Sequence, residues 1–315
     1  MTKLSIVTTM YYSENYVEEF YTRSLKTLND IGIYDYEFIF VDDGSPDDSL
    51  KEAIKLYNND SCVTVVELSR NFGHHKAIMT GLGIANGDYI FLIDIDLEEE
   101  PELLKIFWEE LHKEENKNVD VIYGVQSKRK GDWFERWSGD LFYRLHNMVC
   151  DQGKVEKNLT TVRIMKNNFV KELLKFKEHD FYFAPICSLV GFNQIPIMIN
   201  KKSTSLTTYS FLKKYHLAIN SIFSFSNKPL YFIFYLGLLI TVVSFLVVIY
   251  ALFQKLIFNI TIDGWASMIA SIWLLGGIII LFIGISAIYI SKIFEQTKNK
   301  PFTIIKTLYN GSESQ

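Results

Sequence analysis

The sequence of 315 residues has only three cysteines, Cys62, Cys150 and Cys187. Their odd number and their spacing exclude a disulfide framework and a cysteine-built metal site, leaving free thiols in a reducing compartment as the expectation. Positive charge is not in excess. Lys and Arg number 32 against 36 Asp and Glu, a formal net charge of −4, which argues against nucleic acid as the main partner. The opening stretch "MTKLSIVTTMYYSEN" has a short apolar segment and then turns polar, so no secretory signal peptide is expected in it. No G-x-G-x-x-G follows the first apolar run and no G-x-x-x-x-G-K-[ST] occurs anywhere, which removes the usual glycine loops for dinucleotides and phosphates. Internal repeats and low-complexity segments are also lacking.

What the chain does have is apolar length. "LYFIFYLGLLITVVSFLVVIYALF", Leu230 to Phe253, and "WASMIASIWLLGGIIILFIGISAIYI", Trp265 to Ile290, contain no charged residue. Each exceeds the roughly 20 residues a helix needs to cross a bilayer core. Two transmembrane helices, 230–253 and 265–290, are therefore predicted, joined as a hairpin by the short connector "QKLIFNITIDG". Lys201, Lys202, Lys213, Lys214 and Lys228 precede the first run, and Lys292, Lys298, Lys300 and Lys306 follow the second, whereas the connector holds only Lys255. The positive-inside rule then puts both termini and the N-terminal domain on the cytoplasmic side of a multi-pass plasma-membrane protein. The segment from Phe211 to Lys228 has an apolar side and two lysines, as expected of a stretch lying along the membrane surface. The domain organisation read from these features is 1–205 catalytic, 206–228 juxtamembrane, 229–292 the hairpin and 293–315 a C-terminal tail. Gly276 and Gly277 would permit close helix packing, which leaves a homo-oligomer open.

The first 200 or so residues alternate strand and helix signals. "LSIVTTM", "YEFIFVDD", "VTVVELS", "YIFLIDID" and "DVIYGV" are apolar runs of strand length, and "ENYVEEFYTRSLKTLNDI", "SLKEAIKLYNN" and "PELLKIFWEELHKE" have helical patterning. Strands apolar on both faces, separated by amphipathic helices, predict a parallel α/β sheet covered on both sides. Ligands of such sheets bind beyond the carboxyl ends of the strands. The polar clusters "TTMYYSE", "VDDGSPDD", "SRNFGHH" and "DIDLEEEPE" all fall there, with Thr9 and Tyr11 in the first and Asn71 in the third.

In the last cluster, alternation along a strand would point Asp94 and Asp96 to one face. Oxygen-only ligands suit a hard cation, Mg²⁺ or Mn²⁺, with positions open for a substrate's phosphates. Glu98 follows at the same spacing as a possible third ligand. Glu99, Glu100 and Glu102 are explained more simply as acidic residues at a helix N-terminus. Asp42 and Asp43, with Gly44, make a tight turn, and Asp42 is placed to accept a hydrogen bond from a nucleotide base. His74 and His75 project roughly 100° apart on a helix and do not share an ion easily, so a helix-start role is expected for them.

The ordered set "VDDGS", "LSRNFG", "AIMTGLGIANGDYIFLIDIDLEEEPELL", "DLFYRLHN" and "FSFSNKPL" ahead of a membrane hairpin resembles the bacterial polyisoprenyl-phosphate glycosyltransferases. These are members of glycosyltransferase family 2 with a GT-A (Rossmann-like) fold, similar to dolichol-phosphate mannose synthase. The resemblance covers nearly the whole chain. It implies inverting transfer of a hexose from a nucleotide sugar, a UDP-hexose by preference, to polyprenyl (undecaprenyl) phosphate. On that basis Asp94, Asp96 and Glu98 hold the cation, while Thr9, Tyr11, Glu14, Asp42 and Asn71 line the donor. Arg136 matches a family arginine for the lipid phosphate, with Lys128, Arg129, Arg163, Lys202 and Tyr209 as further acceptor-phosphate candidates. Departures occur: Gln126 stands where an arginine is common, and Glu98 where a glutamine is. The acceptor phosphate is already ionised, so no strong general base is expected. Two other readings stand beside this one: a transferase of the same fold acting on a hydroxyl acceptor, and a non-catalytic membrane-tethered sugar-nucleotide-binding subunit.

Overall fold

The computed structural model describes residues 2–126, 159–176, 183–200, 228–258, 264–298 and 301–311. The chain divides into two compact units, one built on a sheet and one on two long helices. Lys128, Arg129, Arg136, Lys202 and Tyr209, together with Cys150 and the segment 206–227, lie outside the described residues.

The sheet contains β1 (Leu4–Met10), β2 (Tyr36–Asp42), β3 (Val63–Leu68), β4 (Tyr89–Leu92), β5 (Val121–Gln126), β6 (Leu159–Lys166), β7 (Gln194–Ile199) and β8 (Ile305–Tyr309), in the order β7-β5-β6-β4-β1-β2-β3-β8. Every residue of β1 is buried, as its unbroken apolar run requires of a central strand. β1 pairs in parallel with β2 and β4, and β2 with β3. The five strands read from the sequence, β1 to β5, all run the same way; β6, antiparallel to both β4 and β5, and β8, antiparallel to β3, were not read as strands and make the sheet mixed. Apolarity on two faces reports that a strand is covered; it carries no information about strand direction.

The helices of this unit are α1 (Val17–Asp30), α2 (Ser49–Asn59), α3 (His74–Ile84), α4 (Leu103–Leu111), α5 (Asn167–Leu173) and α6 (Phe183–Leu189). α1 buries Val17, Phe20 and Leu28, and α4 buries Leu104, Phe107 and Leu111, the one-sided apolar spacing of helices laid on a sheet. α3 approaches more closely. A Cβ on Gly81 would lie 2.6 Å from Val7 Cγ1 and 2.9 Å from Val41 Cγ2, so only glycine lets this helix rest directly on β1 and β2.

At the edge away from the polar clusters, Glu37 accepts hydrogen bonds from Lys3 Nζ, the Ser5 hydroxyl and the Asn86 N–H, each at 2.6 Å. Burial alone would raise its pKa; the three donors outweigh burial and hold the carboxyl below its usual value. A depressed folded-state pKa contributes stability above the unfolded value and loses it as pH falls through the folded one. Glu37→Gln is therefore expected to cost about 1–3 kcal/mol at neutral pH. In urea melts at a series of pH values, the gap to wild type should narrow on the acid side of the ordinary carboxylate range.

β8 was expected only as part of a tail. Instead it covers the free edge of β3, with Lys306 paired to Glu67 and the Tyr309 ring 6.1 Å from that of Tyr57. The segment before it is tied down as well: the Ser69 N–H donates to the Ile304 carbonyl at 2.9 Å, and the hydroxyls of Thr80 and Thr303 are 2.7 Å apart.

The second unit contains α7 (Lys228–Phe258, 31 residues) and α8 (Trp265–Thr297, 33 residues), which take in both uncharged runs. They touch where Gly237 faces Phe282, a Cβ there lying 3.6 Å from the ring. Positions 276 and 277 have open space around them. Among the described residues no helix is long and apolar enough to cross a membrane, and several side chains inside both helices lie outside that set.

Candidate active site

Because β3, β2, β1 and β4 are neighbours and run parallel, the loops that follow them meet along one edge of the sheet. All four polar clusters of the sequence are on these loops.

The loop after β2 is compact and buried. Asp42 accepts the Ser45 N–H on both carboxylate oxygens at 3.3 Å, and the Ser45 hydroxyl donates to the Met10 carbonyl. Asp43 takes the N–H groups of Phe72 at 2.7 Å and Gly73 at 3.0 Å, which ties this loop to the one after β3. Burial raises the pKa of both carboxyls, against the hydrogen bonds they accept. Gly44 completes the junction with φ +67°, and a Cβ there would come 2.7 Å from the Arg70 and Asn71 backbone. The loop has room for nothing larger.

Thr9, near the end of β1, is buried, while Tyr11 and Tyr12 just beyond it stand 48% and 63% exposed, their rings edge-to-face at 4.9 Å. Tyr12 is held at φ +57°. Glu14, expected along the nucleotide, accepts the Asp48 N–H at 3.1 Å and braces the entry to α2. Asn71 is exposed, and its carbonyl accepts Arg70 Nη1 at 3.2 Å.

β4 stops at Leu92, so Asp94 and Asp96 lie in the loop beyond it, not on the strand as the alternation argument required. Ile93 still donates to the Val7 carbonyl at 3.2 Å, which keeps the loop aligned with the sheet as it leaves. Asp96 Oδ1 accepts the Glu98 N–H at 3.0 Å. Leu97 between them has φ +57°, a left-handed kink that breaks the alternation, and Glu98 is buried. Among the described residues no three His, Cys, Asp or Glu side chains gather to hold a metal. The donor chemistry fits a hard cation held by two aspartates, with its remaining positions left to phosphate oxygens and water. Farther along, Glu99 is fully buried and Glu102 pairs with Arg23 of α1 at 2.7 Å.

Arg163, expected at the acceptor phosphate, pairs in register with Leu92 but is 2% exposed. Its Nε and Nη2 donate to the Thr161 and Thr160 carbonyls at 3.1 Å, and its guanidinium lies 4.5 Å from the centre of the Phe183 ring. It is committed to the interior beneath the site and does not offer its donors to a lipid headgroup.

Two residues gained roles that the sequence reading missed. Asp43 was read as part of a turn, and its clasp on the β3 loop has no local signature. His74 begins α3 as expected, but its imidazole also reaches across the site: Nδ1 is 3.0 Å from the Thr9 hydroxyl, and Nε2 is 3.4 Å from Asp94 Oδ1.

A sheet in the order 3-2-1-4, free of glycine phosphate loops and with two aspartates just past one of its central strands, fits the GT-A fold of the transferases that use nucleotide sugars. Residues 5–183 match the family described as glycosyl transferase family 2, and the chain belongs to that family. It is 45% identical over 309 residues to a protein of Mycobacterium tuberculosis (strain CDC 1551 / Oshkosh) named "Putative glycosyltransferases", covering 98% of this chain and 89% of the relative. It is 28% identical over 313 residues to the bactoprenol glucosyl transferase of Shigella phage SfII, covering 98% and 99%. Among solved structures it is similar to glucosyl-3-phosphoglycerate synthase from Mycobacterium tuberculosis in complex with Mn²⁺, UDP-glucose and phosphoglyceric acid. That likeness, with a TM-score of 0.50 and 18% identity over 71% of this chain and 79% of the other, is one of fold.

Proposed function

We propose that this glycosyltransferase moves a hexose, glucose from UDP-glucose being the first to test, onto the phosphate of a membrane polyprenol with inversion at the anomeric carbon. The observation that carries the reading is the Asp94–Asp96 pair beyond the central strand of a family 2 sheet. The end-to-end match to a bactoprenol glucosyl transferase supports the choice of acceptor.

In this reading Asp94 and Asp96 hold Mg²⁺ or Mn²⁺, which when bound neutralises the donor diphosphate and eases departure of the nucleoside diphosphate. Tyr11, exposed at the rim, lies along the base with Thr9, Glu14, Asp42 and Asn71 shaping the donor side. Lys128, Arg129, Arg136, Lys202 and Tyr209 remain the candidates for the lipid phosphate. Arg163 acts from beneath the site through its positive charge. Because the acceptor oxygen is ionised, the side chains mainly position two reactants and need not remove a proton.

We further place the active site on the cytoplasmic face of the plasma membrane, with α7 and α8 as two crossings. What supports this reading is the pair of uncharged runs, Leu230 to Phe253 and Trp265 to Ile290, each longer than the roughly 20 residues a spanning helix needs. Tyr231, Phe232, Leu239, Ile272, Ile280 and Ile290 are all exposed on them. Both ends of the helix pair connect to the sheet unit, since β8 follows α8 and pairs with β3.

The test is to give the purified full-length protein labelled UDP-glucose with polyprenyl phosphate or with polyprenol. A charged glycolipid formed from the phosphate and not from the alcohol is expected. Label on the free alcohol alone would overturn the reading.

A further inference from the structure

We infer that His74 is a positioning residue for Asp94, fixing which carboxylate oxygen is turned to a bound cation; this rests on the metal-dependent reading above. The imidazole joins the end of β1, at Thr9, to the loop after β4, at Asp94. Its base is rigid. It starts α3, the two N–H groups before it are clasped by Asp43, and α3 is seated through Gly81 directly on β1 and β2. Thr9, on the other side, is the sheet partner of Val41 and is equally fixed.

Asp94 Oδ1, 3.4 Å from Nε2, can only accept, so an N–H of the ring faces it. Nδ1 is 3.0 Å from the Thr9 hydroxyl, which can either donate or accept there. The chain from Thr9 through the imidazole to Asp94 Oδ1 engages one oxygen of Asp94 and leaves Oδ2 for a cation. Such a brace is needed because Asp94 stands two residues past the end of β4, where no strand hydrogen bonds fix it. The side chain of His74 is 41% exposed and that of Asp94 19%, so the contact sits on the open rim of the site and is not core packing. Partners of a metal ligand at this remove typically change metal affinity by about 10–100-fold.

The test is Mn²⁺ titration of the full-length protein with UDP, followed by electron paramagnetic resonance, with Asp96→Ala as the control that removes the cation site itself. His74→Ala should weaken Mn²⁺ about tenfold or more, with an unchanged melting temperature. His74→Gln, which keeps an N–H near the Nε2 position, should restore most of the affinity. Thr9→Val should weaken binding in wild type and add little in His74→Ala, since the two act through one chain of contacts. In transfer assays the Mn²⁺ concentration for half-maximal rate should rise, with kcat at saturating Mn²⁺ changing less. Wild-type Mn²⁺ affinity in His74→Ala, with loss in Asp96→Ala, overturns this inference and leaves the metal reading intact. Equal binding in all variants, Asp96→Ala included, overturns both. A fall in melting temperature at unchanged affinity would assign His74 a purely structural role and also overturns the inference.

Discussion

Alanine at Asp96 is expected to lower sugar transfer by about 10²–10³-fold, the usual loss when a group that stabilises developing charge is removed. The protein should remain folded. Asp94 and Asp96 are half-buried carboxylates two residues apart, and Asp94 Oδ1 lies 3.4 Å from His74 Nε2. Alanine at 96 removes the acceptor of the Glu98 N–H in the loop after β4 and no part of the sheet's apolar core. A residue kept for stability would show the reverse pattern, a lower melting temperature with activity falling in proportion. Asp96→Asn separates the two further, because it retains an acceptor for Glu98 while removing the charge. Steady-state rates at saturating Mg²⁺ or Mn²⁺, beside thermal melts of the same samples, decide the matter.

The second large effect is expected from removing residues 301–315. β8 is only five residues long, yet it closes an edge that β3 would otherwise leave open. Its loss removes the ladder with β3, the Lys306–Glu67 pair, the Ser69 to Ile304 bond and the Thr80–Thr303 contact. At about 1 kcal/mol for each ordinary hydrogen bond, the loss is about 3–5 kcal/mol. For a domain of this size that corresponds to a melting point lower by roughly 10 °C. An exposed β3 edge should also promote aggregation. The same contacts support the loop from Ser69 to Gly73, so UDP binding should weaken along with stability. Scanning fluorimetry of the truncated protein reads the first effect and calorimetry the second; an unchanged melting point would show that the C-terminal strand does not hold the sheet.

Much of this fold was legible because strand and helix signals are local. β1, β2 and β3 fall within a residue of the apolar runs "LSIVTTM", "YEFIFVDD" and "VTVVELS", and α2 matches "SLKEAIKLYNN" end to end. β4 was read too long. "YIFLIDID" keeps its alternation through Asp96, but the strand stops at Leu92, because hydrogen-bonding neighbours decide where a strand ends and residue pattern does not. β6 and β8 were not read as strands, and apolar pattern would not have shown that they run antiparallel to their neighbours, because burial is blind to direction. The family and the transferase class were legible from the order of motifs, and the match over residues 5–183 agrees.

The site was legible only in part. Asp94 and Asp96 were marked by charge at the end of an apolar run, a signal carried by sequence neighbours. The bond between Thr9 and His74 spans 65 positions, and the clasp of Asp43 on Phe72 spans 29. Nothing local encodes such meetings; they follow from three adjacent parallel strands delivering their loops to one edge. Arg163 shows the converse case. Its place in "TTVRIMK" suggested a ligand, whereas the β6 register buries it under Phe183.

The most direct measurement is calorimetric titration of the full-length protein with UDP, with and without Mn²⁺, for wild type and for Asp94→Asn and Asp96→Asn. Binding strengthened by Mn²⁺ in wild type and indifferent to it in both variants is the expected result. UDP affinity independent of Mn²⁺ in wild type, or Mn²⁺ dependence surviving in both variants, would contradict a cation held between these two aspartates and the donor diphosphate.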